Sequence, residues 1–292
     1  MQVLSNNELF RAAPSIFASQ AHHSTSERYE FLPTIDVVDA LRAEGFQPVQ
    51  AFQAKTRMVD RRPFVKHTIR FRHESHNFKE ERGSEFHLLL QNSHVGSSSF
   101  QIQAGVYRMV CSNGMIIADS VLDTHRVRHS GRKATLDNCI EGVYRIVDGV
   151  ETVEDQIADW QTRVLPEPVQ MVFAKAAAQL RWGDDAPIKP RQLLSHRRWA
   201  DRGDDQWTVF NRVQENLLRG GQHGVGATGR NMTTREVKSI DENNRLNKAL
   251  WTLSTELEAL LKAAEFFQVS ISSLLQRNYP APWTAHLLGE MR

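Results

Sequence analysis

Apolar and polar residues alternate along three consecutive runs between Phe86 and Asp119. In Ser99–Cys111, Phe100, Ile102, Ala104, Val106 and Val110 share one parity, and Gln101, Gln103, Tyr107 and Met109 share the other. A period of two predicts a strand with one face on a core and a more polar face outward. Arg108 falls on the apolar parity and therefore needs a partner, a ligand or an edge position. Phe86–Asn92 and Met115–Asp119 read as the flanking strands. The connections are a Gly- and Ser-containing stretch over 93–98 and the turn Ser112-Asn113-Gly114, where Asn and Gly accept positive φ cheaply. The three form an antiparallel β-meander.

Two more strands are expected upstream, Pro48–Arg57 and Phe64–His73. The second places Val65, His67, Ile69 and Phe71 on one face and Lys66, Thr68, Arg70 and Arg72 on the other. Ile35, Val38 and Leu41 predict a short helix over about 35–44, with Thr34 as N-cap and Gly45 as stop. From about residue 140 the period becomes helical. Helices are predicted over Glu151–Arg163 and Glu167–Trp182, separated by the proline-bearing 165–168. A third begins at Asp204/Asp205 and carries Trp207, Phe210, Val213, Leu217 and Leu218 as a stripe that ends at Gly220-Gly221. Gly220–Asn231 reads as a flexible loop, and Thr233-Thr234-Arg235-Glu236 matches a capping box for a long helix to about Ala264. Phe266–Gln276 suggests one more helix, and Tyr279–Trp283 brings aromatic residues to the tail.

The expected fold is therefore α+β: an antiparallel β-meander with flanking helices over residues 1–148 and a helical region over 149–292, packed on the first as one unit or standing apart. The 292 residues, 40% hydrophobic and 24% charged, suit a globular protein. Cys111 and Cys139 form no disulfide framework and no CxxC, which suits a reducing cytoplasm. Neither an export signal nor a membrane span is expected.

The net charge of +2 hides an asymmetry. Residues 1–133 hold 17 Lys/Arg against 13 Asp/Glu and 9 of the 12 histidines, whereas residues 134–292 hold 19 against 21. Within 57–73, Arg57, Arg61, Arg62, Lys66, Arg70 and Arg72 are countered by Asp60 alone. Cations two residues apart on a strand are spaced by roughly 7 Å, near a single-strand phosphate repeat. Thr124–Lys133 is a second basic segment with Arg126, Arg128, Arg132 and Lys133. The polyanion reading stands beside a plainer one, a solvated outer face. Stacking groups for a nucleic acid would come from Phe52, Phe64, Phe78 or Tyr107.

Other motifs carry less. Gly224-Val-Gly226-Ala-Thr-Gly229 matches GxGxxG but lacks the βαβ context of a dinucleotide site. Arg230 and Arg235 flank the predicted helix start, whose free N–H groups attract anions. His73/His76 and His125/His129 have spacings that can supply metal ligands but no cysteine pair or HExxH frame, so no metal or other cofactor is expected. Ser93-His94 and Ser97-Ser98-Ser99 allow a hydrolase or nuclease site if His94 and His129 meet a carboxylate such as Asp119 or Asp123.

The chain resembles a bacterial phage/plasmid-like family, domain of unknown function 932. The resemblance rests on Arg28–Thr34 (RYEFLPT), Asn92–Ser99 (NSHVGSSS), Arg108–Gly114 (RMVCSNG), Val127–Gly131 (VRHSG), Phe210–Leu217 (FNRVQENL), Thr233–Lys238 (TTREVK) and Arg245–Trp251 (RLNKALW). It covers about residues 10–260. Members commonly show His-Asp-Gly-Ser where this chain has His94-Val95-Gly96-Ser97, so a carboxylate is absent there. The resemblance implies carriage on mobile elements. By analogy with the single-strand annealing proteins such elements often carry, a basic sheet with following helices points to nucleic acid, single-stranded DNA foremost, and to a homo-oligomer. Lys66, Arg70, Arg72, Arg108, Arg126, Arg128, Arg230 and Arg235 are the expected phosphate contacts and Tyr107 a stacking group. The alternatives are an interaction protein that binds a host defence protein, which would expose an apolar patch around Trp207, Trp251 or Trp283, and the hydrolase above.

Overall fold

The computed structural model describes residues 2–26, 29–73, 84–108, 114–117, 125–127 and 132–267. They fall into two compact units divided between Val153 and Glu154. The chain is α+β, with its main antiparallel sheet in the N-terminal half and a mostly helical C-terminal half.

The first unit opens with α1 (Asn6–Ala12), a 3-10 turn at Pro14–Phe17, and α2 (Thr34–Ala43). Ser5 and Glu8 cap α1 reciprocally, each side chain meeting the other's backbone N–H. The strands follow as β1 (Phe46–Gln53), β2 (His67–His73), β3 (Ser84–Asn92), β4 (Phe100–Arg108), β5 (Gly114–Ile117) and β6 (His125–Val127). Their order is β1-β2-β3-β4-β5, all antiparallel. β6 also pairs with β4, against Phe100–Ile102, while β5 pairs with Ala104–Tyr107. The two short strands thus lie end to end along one side of β4.

Register sorts the side chains. Ile69 pairs with Leu90 and Leu90 with Ile102, and Phe71 pairs with Leu88. These residues are fully or almost fully buried, as are Val37, Val38 and Leu41 of α2. Each such side chain contributes roughly 1.5–3 kcal/mol relative to exposure. Helix α3 (Arg132–Asp148) buries Cys139 and Val143, and its Tyr144 hydroxyl donates to the Glu44 carboxylate after α2. The helical period therefore starts at Arg132, not near residue 140. The basic stretch 124–133, read as one segment, is split between β6 and α3. Ser130-Gly131, Cys111, Arg128 and the turn Ser112-Asn113 lie outside the described residues.

In the second unit, α4 (Val150–Thr162), α5 (Glu167–Trp182), α6 (Pro190–Leu193), a 3-10 turn at Trp199–Asp201, α7 (Gln206–Arg219) and α8 (Ile240–Phe267) surround an aromatic core. Trp160 lies 4.6 Å from Trp251 and 5.6 Å from Phe210, centroid to centroid, and Trp207 stacks on Phe210 with rings 4° from parallel. The Trp160 indole N–H donates to Glu258 Oε2 at 2.7 Å. Helix α7, capped by Asp205, is buried along its length. Its polar residues consequently find partners: Gln214 donates to Asn247, Asn216 to the Leu193 carbonyl, and Glu215 accepts from Arg198. Trp207 and Trp251 belong to this core and form no surface patch, and Trp283 lies outside the described residues.

Two expectations for this half are corrected. Gly220–Asn231 is no flexible loop, because β7 (His223–Val225) pairs with β8 (Asn231–Thr233) as a hairpin. The GxGxxG match spans its turn, and Gly224 lies where a Cβ would meet the Pro187 carbonyl at 1.9 Å. Thr233 is a strand residue, not a cap; α8 starts at Ile240, where the Glu242 N–H approaches Ser239 Oγ at 3.4 Å. Of the further helix predicted over Phe266–Gln276, Phe266 and Phe267 belong to α8 and the rest lies outside the described residues.

Gly183 and Gly220 share φ 66° and ψ −144° at the ends of α5 and α7. A Cβ at Gly220 would sit 2.6 Å from the Thr234 carbonyl, while one at Gly183 meets nothing within 4 Å. Backbone strain is common to both alanine variants, so their difference isolates the close approach. Gly220→Ala is expected to lower stability by about 1–3 kcal/mol more than Gly183→Ala, read from urea midpoints.

Candidate functional site

The sheet face opposite the apolar one is polar. Across it, Phe52 pairs with Thr68, Thr68 with Gln91 and Gln91 with Gln101, which pairs in turn with Arg126. Arg70 pairs with Gln50 on one side and Leu89 on the other, Leu89 pairs with Gln103, and Arg72 pairs with Gln47. Antiparallel partners share a face, so these residues form one surface. Its middle is covered: Thr68, Arg70, His87, Leu89 and Gln91 are buried. Its rim is accessible, with Gln50 and Phe52 exposed and Gln47, Arg72, Gln101 and Gln103 half-buried. The Gln103 amide donates to Gln101 and the Gln101 amide to Ser99, a short ladder along β4.

Two arginines bear on this face. His87 is pushed down to about 3, first by burial and then by the charges of Arg70 and Arg72. Two guanidiniums two residues apart therefore act on one point of the sheet.

The sequence-predicted residues divide accordingly. Arg70, Arg72 and Arg126 share this face by register, and Lys66 stands half-buried just before β2. Phe64 is not a strand residue, since its N–H closes a turn on the Arg61 carbonyl, so β2 begins only at His67. Arg70 is 3% exposed, which replaces the expected open row of three cations with a buried one between two accessible ones. Tyr107 and Arg108 end β4 opposite Glu85 and Ser84. Arg230 in the hairpin turn and Arg235 after β8 are exposed and belong to the second unit, and neither flanks a helix start. Arg128 lies outside the described residues. The glutamines and His87 were missed; the signal was the matching parity of Gln91, Gln101 and Gln103 with Arg70.

A second arrangement lies on the other side of the sheet. Thr34, expected to cap α2, turns its hydroxyl inward: Oγ1 is 2.9 Å from His67 Nε2, 3.2 Å from His94 Nε2 and 3.0 Å from Asn92 Nδ2. His67 Nδ1 faces the Val65 carbonyl at 3.1 Å, so that nitrogen carries the proton and Nε2 accepts from Thr34. His94 then donates to Thr34. Ser15 Oγ lies 2.9 Å from His67 Nδ1 and donates to Gln53 at 2.9 Å. Burial holds His67 down to about 4, so it is neutral at pH 7. His67, Ser93 and His94 are all 0% exposed, whereas Ser97 and Ser99, the other serines of the hydrolase reading, face solvent. His129, Asp119 and Asp123 lie outside the described residues. The network is a clasp that joins the N-terminal segment, α2, β2 and β3.

An α+β chain with a polar, Arg- and Gln-bearing sheet face and a buried histidine clasp is thus the molecule to be compared. The family model described as Domain of unknown function (DUF932) matches residues 21–251, and the chain belongs to that family. Among its relatives are UPF0380 protein YfjQ of Escherichia coli (strain K12), 41% identical over 256 residues that cover 87% of this chain and 91% of that protein. UPF0380 protein YafZ of the same strain is 41% identical over 260 residues, covering 88% and 92%. No solved structure matches the chain. No helix among the described residues is long and apolar enough to cross a membrane.

Two outcomes are expected of the clasp. Thr34→Val keeps the shape of the side chain but strands buried imidazole and amide groups, and should cost about 1–3 kcal/mol in urea unfolding, with Thr34→Ser costing less. Because the native pKa of His67 lies below that of an unfolded histidine, the unfolded chain binds the extra proton as pH falls from about 6.5 towards 4. Stability should be flat above that window and fall by about 2 kcal/mol per such histidine by pH 5. His87 adds to the same loss, and a His67→Gln variant should show a smaller loss on acidification.

Proposed function

We propose that the polar face of the first unit's sheet binds nucleic acid, with single-stranded DNA the favoured form and strand annealing a further activity. The observation that carries this reading is the convergence of Arg70 and Arg72 on a glutamine-bearing face, registered in the depressed pKa of His87. A field of that sign attracts phosphate. Glutamine amides offer donors and acceptors to any base, and Phe52, 41% exposed at the rim, offers a stacking surface. Tyr107 belongs to the same face by register, with Gly114 beside it. Direct phosphate contacts fall to Lys66, Arg72 and Arg126, while buried Arg70 contributes charge. Arg230 and Arg235 are exposed on the second unit and stand as phosphate contacts of that unit by itself. The protein acts as a homo-oligomer in the cytoplasm, serving a phage or plasmid, and binding needs no cofactor.

A second reading, an interaction with a host protein, draws on Trp199, which is 80% exposed, and on exposed Val225 and Met232 of the hairpin.

The test is fluorescence anisotropy with a labelled oligothymidylate, titrated with salt, for the native chain and for Lys66→Ala/Arg72→Gln/Arg126→Ala. Binding should weaken steeply with salt, and loss of three phosphate contacts should flatten the log–log salt slope by about 2. No binding at low salt, or a variant indistinguishable from the native chain, would remove this reading in favour of the second.

A further inference from the structure

Two consecutive histidines and a distant aspartate meet at the surface of the first unit. His22, His23 and Asp60 each bring one ligand atom within 4.8 Å of the other two. His22 Nε2 is 3.3 Å from Asp60 Oδ2, and the two imidazole centroids are 4.0 Å apart with rings tilted by 35°. His22 is anchored. Its backbone N–H donates to the His94 carbonyl at 2.9 Å, and its carbonyl accepts from the Thr25 N–H at 3.0 Å and hydroxyl at 2.8 Å. Its ring meets the edge of Phe64 at 5.3 Å. His22 is 2% exposed, whereas His23 and Asp60 face solvent. One donor is fixed in the wall and two close over it from outside.

We propose that His22, His23 and Asp60 bind a divalent transition cation of the zinc or cobalt(II) class, with water in the remaining position. Two neutral imidazoles and a carboxylate suit borderline cations, whereas magnesium and calcium favour all-oxygen sets. Structural zinc sites supply four protein ligands; three leave a position open. His22 Nδ1 accepts from the Ser24 N–H at 3.2 Å and lies 2.7 Å from Ser24 Oγ, so loading at Nε2 requires the tautomer in which Nδ1 donates to that hydroxyl, the outer contact of a ligating imidazole. Donors about 2.1 Å from one cation stand no more than about 4.2 Å apart, so loading draws the two exposed side chains inward. Because Arg61 and Arg62 follow Asp60, the affinity is modest. The site is independent of the nucleic-acid reading and survives its failure.

The test is a Co²⁺ titration of the untagged full chain, followed by visible absorption, with Zn²⁺ as competitor. One equivalent with ligand-field bands that Zn²⁺ abolishes is expected. His23→Ala and Asp60→Asn, both at exposed positions, should each weaken binding about tenfold or more. Their thermal midpoints in chelator should match the native chain, which separates lost ligands from lost fold. No ligand-field bands, or equal Co²⁺ binding by the native chain and both variants, would overturn the site.

Discussion

One hydroxyl sets how the helical layer meets the sheet. Thr34 stands in the first turn of α2 and touches side chains from β2, from the end of β3 and from the loop after it. A hydroxyl has one proton and two lone pairs, and here all three are used, so its partners cannot exchange places without stranding a buried polar group. Apolar packing alone tolerates sliding of a helix along a sheet; a three-way polar contact does not. The position of α2, and with it the covered side of the sheet, follows from that contact.

With one side covered, alternation assigns every second residue of five strands to the other. That side collects arginine, glutamine, threonine and histidine, buried at its middle and accessible at its rim. The second unit solves its packing differently. Three tryptophans and a phenylalanine fill its centre, and Gln214, Glu215 and Asn216 of buried α7 bond side chains and carbonyls from neighbouring segments. Both units therefore join buried polar contacts to apolar packing.

The sheet was legible where the period of two ran unbroken, as in β3 and β4, and the long helices where Pro166, Asp205 and the Trp207 stripe marked them. Helix α3 was obscured because its first turn is basic and follows Ser130-Gly131, a turn signal. The hairpin was hidden by its glycines, which look like slack until Pro187 and Thr234 are placed against them. The capping box read at Thr233–Glu236 did not cap α8, because only the pairing of the hairpin shows that Thr233 is taken by a strand. Of the candidate interface, the charge was readable in Lys66, Arg70 and Arg72, but burial of Arg70 depends on tertiary context. The roles of Thr34 and His67 were unreadable for the same reason, since their partners lie tens of residues away.

The outermost strand carries its own safeguard. Pro48 has no N–H to offer a neighbouring chain, its carbonyl already accepts from the Leu4 N–H at 2.7 Å, and the register shifts between Pro48 and Gln50. A strand so capped and kinked cannot template the addition of another along that margin. Among the described residues, edge-to-edge extension of the sheet is left to the opposite margin, at β5 and β6, which gives an otherwise open sheet a direction for growth.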